Sequence, residues 1–149
     1  MRDPASLATL DVLTKVVPPA LYTDAPLVSL ASCRAVNLSL ESGNSDGSCV
    51  AYVWLGTIAG PHFGNYEAGF RFGRLGYELV EKRSLKRFQA RTYMCFGSHV
   101  MPWTKHVRIG RDLMCRAFEA ANKIGDLIVA AYSCERPEHK PSRCGRSAP

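Results

Sequence analysis

The stretch GFRFGRLG, residues 69–76, places three glycines within eight positions and two arginines among them. Glycine clusters of this density bind phosphate groups in nucleotide-binding proteins when they follow a strand and open a helix. The same residues can instead lie inside a helix and let it pack closely against a neighbour. The choice between these two interpretations decides the fold class.

Periodicity favours the helix. Between Tyr66 and Val80, small and apolar residues recur at helical spacing in two rows, and charged residues form one polar stripe between them. Glycines inside a helix have already donated their N–H groups to carbonyls four residues earlier, and each costs up to about 1 kcal/mol of helix propensity. We therefore predict that Gly69, Gly73 and Gly76 form a packing groove. A helical nucleotide-binding or enzymatic domain built on residues 69–76 is the alternative hypothesis.

The rest of the chain also has helical patterns, and no alternating β-branched run competes with them. Prolines at Pro18–Pro19, at Pro61 and at Pro102 are predicted to end the first, third and fifth helices. The predicted helices are residues 3–17, 24–41, 47–59, 65–82, 85–101, 107–124 and a seventh from 126. The predicted fold class is all-α, with about seven helices.

The helices are predicted to repeat in pairs. The third, fifth and seventh start about 40 residues apart, which is typical of α-solenoids built from two-helix repeats. Two units fit the tetratricopeptide pattern. In the first, Trp54-Leu55-Gly56 is followed by Ala68, Phe72 and Leu75; in the second, Phe96-Gly97 is followed by Gly110, Met114 and Ala117. We therefore expect antiparallel helical hairpins stacked as a tetratricopeptide-like α-solenoid. The predicted helix-packing residues are Gly56, Ala68, Gly69, Phe72, Gly73, Gly76, Gly97, Gly110, Met114 and Ala117.

Composition argues against several other classes of protein. The 149 residues are 46% hydrophobic and carry a formal charge of +6. The basic residues lie mostly at predicted helix ends and do not form one concentrated patch, which argues against nucleic-acid binding. The chain has no apolar run of 18 residues and no signal-peptide pattern, so we expect a cytoplasmic protein without a membrane span. Six cysteines without a CxxC pair predict reduced thiols, and no metal or cofactor is expected.

Three long strings make a resemblance specific. VNLSLESGNSDGSCVAYVWLG begins at residue 36, GPHFGNYEAGFRFGRLGYELVEKR at residue 60, and the string ARTYMCFGSHVMPWTKH…AAYSC ends at residue 134. They resemble the helical region of very large bacterial signalling kinases. The proteins of that family combine a serine/threonine kinase-like domain, an AAA-type ATPase, a tetratricopeptide-like stretch, a GAF sensor domain and a histidine kinase.

The resemblance implies a connecting role rather than a catalytic one. The chain has no GxxxxGK[ST] motif, no HRD loop and no DFG motif, so no catalytic residue of the family has a counterpart here. Residues 1–134 are predicted to be the helical repeat segment. Residues 135–149 depart from the expected continuation and are predicted to be an irregular, disordered tail, as in a truncated or frame-shifted reading frame.

The hypothesis from sequence is a non-catalytic scaffold that couples an ATPase switch to a sensor kinase. Its expected partners are a protein or peptide, or neighbouring domains of the same kinase. Trp103, Arg87 and Arg91 are the candidate partner surface. An unpaired seventh helix also makes a homo-oligomer a possible state.

Overall fold

The computed structural model describes residues 1–134, and all their regular elements are helical. The all-α prediction is therefore confirmed for these residues, while the predicted tail, 135–149, lies outside them. None of the described helices is long and apolar enough to cross a membrane. The α-helices are α1 (Pro4–Ala20), α2 (Ala25–Ser42), α3 (Ser48–Phe63), α4 (Tyr66–Arg83), α5 (Lys86–Cys95), α6 (Val107–Ile124) and α7 (Leu127–Cys134).

Side-chain caps start several of these helices. The carboxylate of Asp3 accepts a hydrogen bond from the Ser6 N–H at 2.8 Å, and that of Asp24 accepts one from the Leu27 N–H at 3.0 Å. The amide oxygen of Asn65 does the same for α4. These bonds satisfy N–H groups that have no partner within the helix. Local sequence therefore determines where α1, α2 and α4 begin.

The predicted proline stops at Pro18–Pro19 and Pro61 are wrong. Helix α1 continues to Ala20 and α3 to Phe63, so both include the prolines. A proline removes one N–H donor, but the next residues can still bond: Leu21 N–H donates to Val17 O at 3.1 Å. Buried Val17 and Ala20 hold the last turn of α1 against the core, which offsets the lost bonds.

The predicted fifth helix, 85–101, is divided. Helix α5 ends at Cys95, and a π-helical segment, Phe96–Val100, follows it and leads into a 3₁₀ turn, Met101–Trp103. A π turn holds one more residue than an α turn, and such segments often occur at functional positions. Hydrophobic periodicity does not reveal it, because the segment retains helical backbone geometry.

Consecutive helices pack as hairpins, in keeping with the predicted stacked arrangement. Helices α3 and α4 make the most extensive contact, and α1 with α2 and α5 with α6 form further pairs. One apolar core runs through these pairs and joins α1, α2, α3, α4, α5 and α6. Buried members of this core include Val28, Val53, Val80, Tyr93 and Leu113.

Two close backbone approaches, the glycine crossings, lie inside the second and third hairpins. In the first, a methyl group on Gly56 would lie 2.7 Å from the Gly69 carbonyl oxygen. In the second, a methyl group on Gly97 would lie 3.0 Å from the Gly110 carbonyl oxygen, and one on Gly110 would collide with Gly97 O. Neither crossing has room for a side chain.

The two crossings correct the register of the predicted repeat. Gly97 follows Gly56 by 41 residues, and Gly110 follows Gly69 by the same 41. The repeat predicted from the sequence instead aligns Ala68, Phe72 and Leu75 with Gly110, Met114 and Ala117, which is one residue out of step. The structure shows the reason: Gly69, Gly73 and Gly76 are buried, while Ala68 and Phe72 are half-buried and Leu75 is exposed.

Substituting Gly76 tests whether close packing is essential. A methyl group there would meet Cys49 O and lie 2.7 Å from a Val53 methyl. We expect Gly76→Ala to lower the free energy of unfolding by about 2 kcal/mol, because the clash outweighs the gain in helix propensity. Urea denaturation followed by circular dichroism measures the change.

Gly47→Ala is the matched control. A methyl group at Gly47 meets the Leu10 side chain at 3.5 Å and Ser45 Oγ at 3.9 Å, both ordinary contacts, so its cost should stay below about 1 kcal/mol. Equal losses from the two substitutions would contradict the packing account.

Candidate functional site

The glycine cluster at residues 69–76 does not have the geometry of a phosphate loop. Gly69, Gly73 and Gly76 lie within α4, and the Gly69 N–H donates to Asn65 O at 3.0 Å. Their outward sides are covered, since a methyl group on Gly73 would lie 2.8 Å from the Phe96 ring. A phosphate needs unpaired N–H groups at an open helix start. The alternative hypothesis for this stretch therefore has no support in the geometry.

The remaining predicted packing residues lie between helices as well. Met114 and Ala117 are buried on α6, at 1% and 0% exposure. Phe72 packs against the neighbouring core cluster and stacks on Tyr52 with ring centroids 6.3 Å apart. Met114, Ala117 and Phe72 thus lie between helices, while the predicted packing set as a whole stays a prediction.

A polar junction joins α4, α5 and α6. One guanidinium nitrogen of Arg116 donates to Tyr93 Oη at 2.9 Å and to Glu81 Oε1 at 3.1 Å, and the other donates to Tyr77 Oη at 3.0 Å. The guanidinium also stacks over the Tyr93 ring, 4.5 Å from its centroid. The Tyr93 hydroxyl donates to Glu81. This junction fixes the α3–α4 hairpin relative to the α5–α6 hairpin.

Burial, and then the hydrogen bond to Glu81, raise the pKa of Tyr93 to about 12 from its ordinary value of 10.0. Loss of the proton would place a phenolate on a buried side chain beside the Glu81 carboxylate. The phenol therefore remains a donor within the junction at all ordinary pH values.

Helices α1, α3, α5 and α7 all contribute residues to the wall of one cavity of about 420 Å³, here named the inner cavity. Its wall is mostly apolar. Within residues 1–134 its lining consists of Pro18, Pro19, Leu21, Tyr22, Trp54, Arg91, Met94, Ser98, His99, Met114, Ile128, Val129 and Tyr132. Its size falls within the range of about 300–1,000 Å³ that is common for ligand pockets.

A few polar groups interrupt the apolar wall. Trp54 is 97% buried, and its indole Nε1 has no hydrogen-bond partner among the described residues. The His99 ring lies 6.4 Å from the Trp54 ring, and Ser98 Oγ is 2.7 Å from His99 Nδ1. The Tyr22 hydroxyl donates to Tyr132 Oη at 2.8 Å and so joins the end of α1 to α7.

The three residues of the predicted partner surface lie in different surroundings, and their role in partner binding stays a prediction. Arg91 lines the inner cavity, but Trp103 and Arg87 do not. Trp103 is 59% exposed and packs on Tyr66 with ring centroids 5.3 Å apart, while the Arg87 guanidinium lies over the Phe88 ring. Met114, predicted only as a packing residue, also lines the cavity, and the remaining lining residues were not predicted as a site from the sequence. Residue spacing within one helix cannot predict a cavity wall that several helices form together.

The cysteines mostly behave as predicted. Cys33, Cys49, Cys95 and Cys134 are free thiols, and burial raises the pKa of Cys49 to about 11 and that of Cys95 to about 12. The prediction of reduced thiols is wrong for Cys115, which is disulfide-bonded. A disulfide requires only that two thiols approach in the fold, so spacing along the sequence cannot exclude it. Within residues 1–134, no His, Cys, Asp and Glu side chains assemble into a metal-binding group.

Comparison with known proteins adds one relative. Over 126 residues the chain is 23% identical to hybrid signal transduction histidine kinase G of Dictyostelium discoideum. The match covers 83% of this chain, which spans only 4% of the length of that kinase. No protein-family model and no solved structure match the chain. The chain is thus distantly similar to a segment of a signal-transduction protein.

Ionisation of Tyr93 tests the polar junction. The pKa of Tyr93 is higher in the folded protein, about 12, than its ordinary value of 10.0. The protonated phenol therefore contributes its full stabilisation of the fold below pH 10, and this contribution is lost as the pH rises towards 12. We expect the free energy of unfolding to fall over that interval, and expect Tyr93→Phe to remove this part of the fall. Absorbance of the phenolate in the native protein should show a late titration phase near pH 12, and Tyr93→Phe should reduce its amplitude. Burial also raises the pKa of Tyr52, so that residue can account for what remains of the phase.

Tyr66→Phe is the control, because Tyr66 is 39% exposed and lies outside the junction. The late phase should survive that change. A smaller late phase in Tyr66→Phe, or an undiminished late phase in Tyr93→Phe, would contradict the assignment.

Proposed function

We propose that this chain is a non-catalytic, tetratricopeptide-like scaffold segment of a signal-transduction kinase. In this proposal residues 1–134 are the repeat segment, and the parent protein is a bacterial two-component kinase with ATPase, GAF and histidine kinase modules. The segment couples the ATPase switch to the sensor kinase through protein–protein contacts in the cytoplasm.

The repeated glycine crossing is the observation that carries the proposal. The pairs Gly56–Gly69 and Gly97–Gly110 place the same backbone approach in two successive hairpins, 41 residues apart. Recurrence of one supersecondary unit at this period is the mark of helical repeat proteins. Such proteins act mainly by presenting extended surfaces to other proteins.

Rigid connection between hairpins supports a coupling role. A continuous apolar core links α1 to α6, and the Arg116–Tyr93 junction adds directional bonds between the second and third hairpins. A displacement at one end of such a stack is passed on because packed interfaces do not deform smoothly. The distant similarity to a histidine kinase is in keeping with a position between signalling modules.

An immunoprecipitation from the source cells tests the proposal. A tagged full chain is expected to precipitate together with a histidine kinase, identified by mass spectrometry and by acid-labile phosphate after incubation with radiolabelled ATP. The purified chain by itself should neither hydrolyse ATP nor become labelled.

Two variants make the test specific. Gly97→Leu breaks the second glycine crossing and should abolish recovery of the kinase, whereas Gly47→Ala leaves both crossings intact and should retain it. ATP hydrolysis by the purified chain, or recovery of the tagged chain without any histidine kinase, would overturn the proposal.

A further inference from the structure

The inner cavity has the composition of a small-molecule site. Most of its wall is apolar, supplied by residues such as Pro18, Met94, Met114 and Val129 from four different helices. Ligand pockets typically combine an apolar lining with a few polar groups that fix the orientation of the ligand. The body of a ligand here would therefore be apolar.

The Trp54 indole N–H is a buried donor that lacks a hydrogen-bond acceptor among the described residues. A buried donor in that state costs about 1–3 kcal/mol. Trp54 lies in the cavity wall beside His99, whose ring is 6.4 Å away. An oxygen atom of a bound molecule could satisfy this donor, whereas a purely hydrocarbon ligand could not.

Charge in the cavity favours an anion. Arg91 lines the wall, and among residues 1–134 no aspartate or glutamate belongs to the lining. The carboxylate of Asp126 lies 3.9 Å from Arg91 Nη2, too long for a hydrogen bond. Asp126 already accepts the Val129 N–H at 3.1 Å as the cap of α7. The guanidinium thus retains donors for a second carboxylate.

We infer that the inner cavity binds a small monocarboxylic acid with an apolar body. The Arg91 guanidinium pairs with the carboxylate, the Trp54 indole donates to an oxygen atom, and the apolar part lies among the methionine, proline and valine side chains. Tyr22 and Tyr132 join the two ends of the cavity wall, and Ile128, 69% exposed, lies at its rim. This site does not depend on the scaffold role or on the identity of neighbouring modules.

Calorimetric titration of the full chain with decanoate tests the inference. We expect one molecule to bind per chain. Arg91→Gln should weaken decanoate binding about 10-fold or more, because a charge-assisted hydrogen bond is lost, while binding of decan-1-ol should change less than about 2-fold. Trp54→Phe, which removes only the N–H donor and one ring, should weaken decanoate binding about 3-fold or more.

Arg87→Gln is the matched control. It removes the same charge one turn earlier on α5, at an exposed residue outside the cavity, and should leave decanoate affinity unchanged. Ile128→Trp keeps the core intact and should block the rim against both ligands.

Three results would overturn the inference: no heat from decanoate with the wild-type chain, equal weakening by Arg87→Gln and Arg91→Gln, or unchanged affinity in Ile128→Trp. Circular dichroism establishes that each variant is folded. If Arg91→Gln does not fold, Trp54→Phe and Ile128→Trp decide the outcome.

Discussion

Backbone-to-backbone contact at the glycine crossings is the constraint on which the other packing in this protein depends. Because Gly56 meets Gly69 and Gly97 meets Gly110 without side chains between them, each helix pair approaches more closely than ordinary residues allow. Close approach of α3 and α4 buries Val53 and Val80 in the common core. Dispersion attraction along the whole interface then offsets the poor helix propensity of glycine.

Adjacent hairpins are joined by a different kind of interaction. The Arg116 guanidinium bonds to Tyr77, Tyr93 and Glu81, so one side chain on α6 contacts both α4 and α5. Such bonds specify an orientation, whereas apolar contact alone tolerates sliding. Together, the two kinds of contact produce a stack with little freedom between its units, which suits the proposed role as a connector.

The π-helical segment Phe96–Val100 links the packing of the protein to its cavity. Gly97 forms the second glycine crossing, while Ser98 and His99 lie in the wall of the inner cavity. The wider turn changes which residues face each side of the helix after Cys95, since it holds one residue more than an α turn. In a regular α-helix, Gly97, Ser98 and His99 would be divided differently between the face towards α6 and the face towards the inner cavity.

Local sequence was enough to specify most of the helices and the small residues that let them meet. Capping residues such as Asp24 and Asn65 act within one turn, and the bounds of α6, residues 107–124, follow from local periodicity. Tertiary contacts were needed to establish that α1 continues through Pro18–Pro19, that α5 gives way to a π turn, and that Arg91 shares a wall with Trp54. Local propensity acts over a few residues, whereas these features depend on burial and on contacts between helices far apart in the chain.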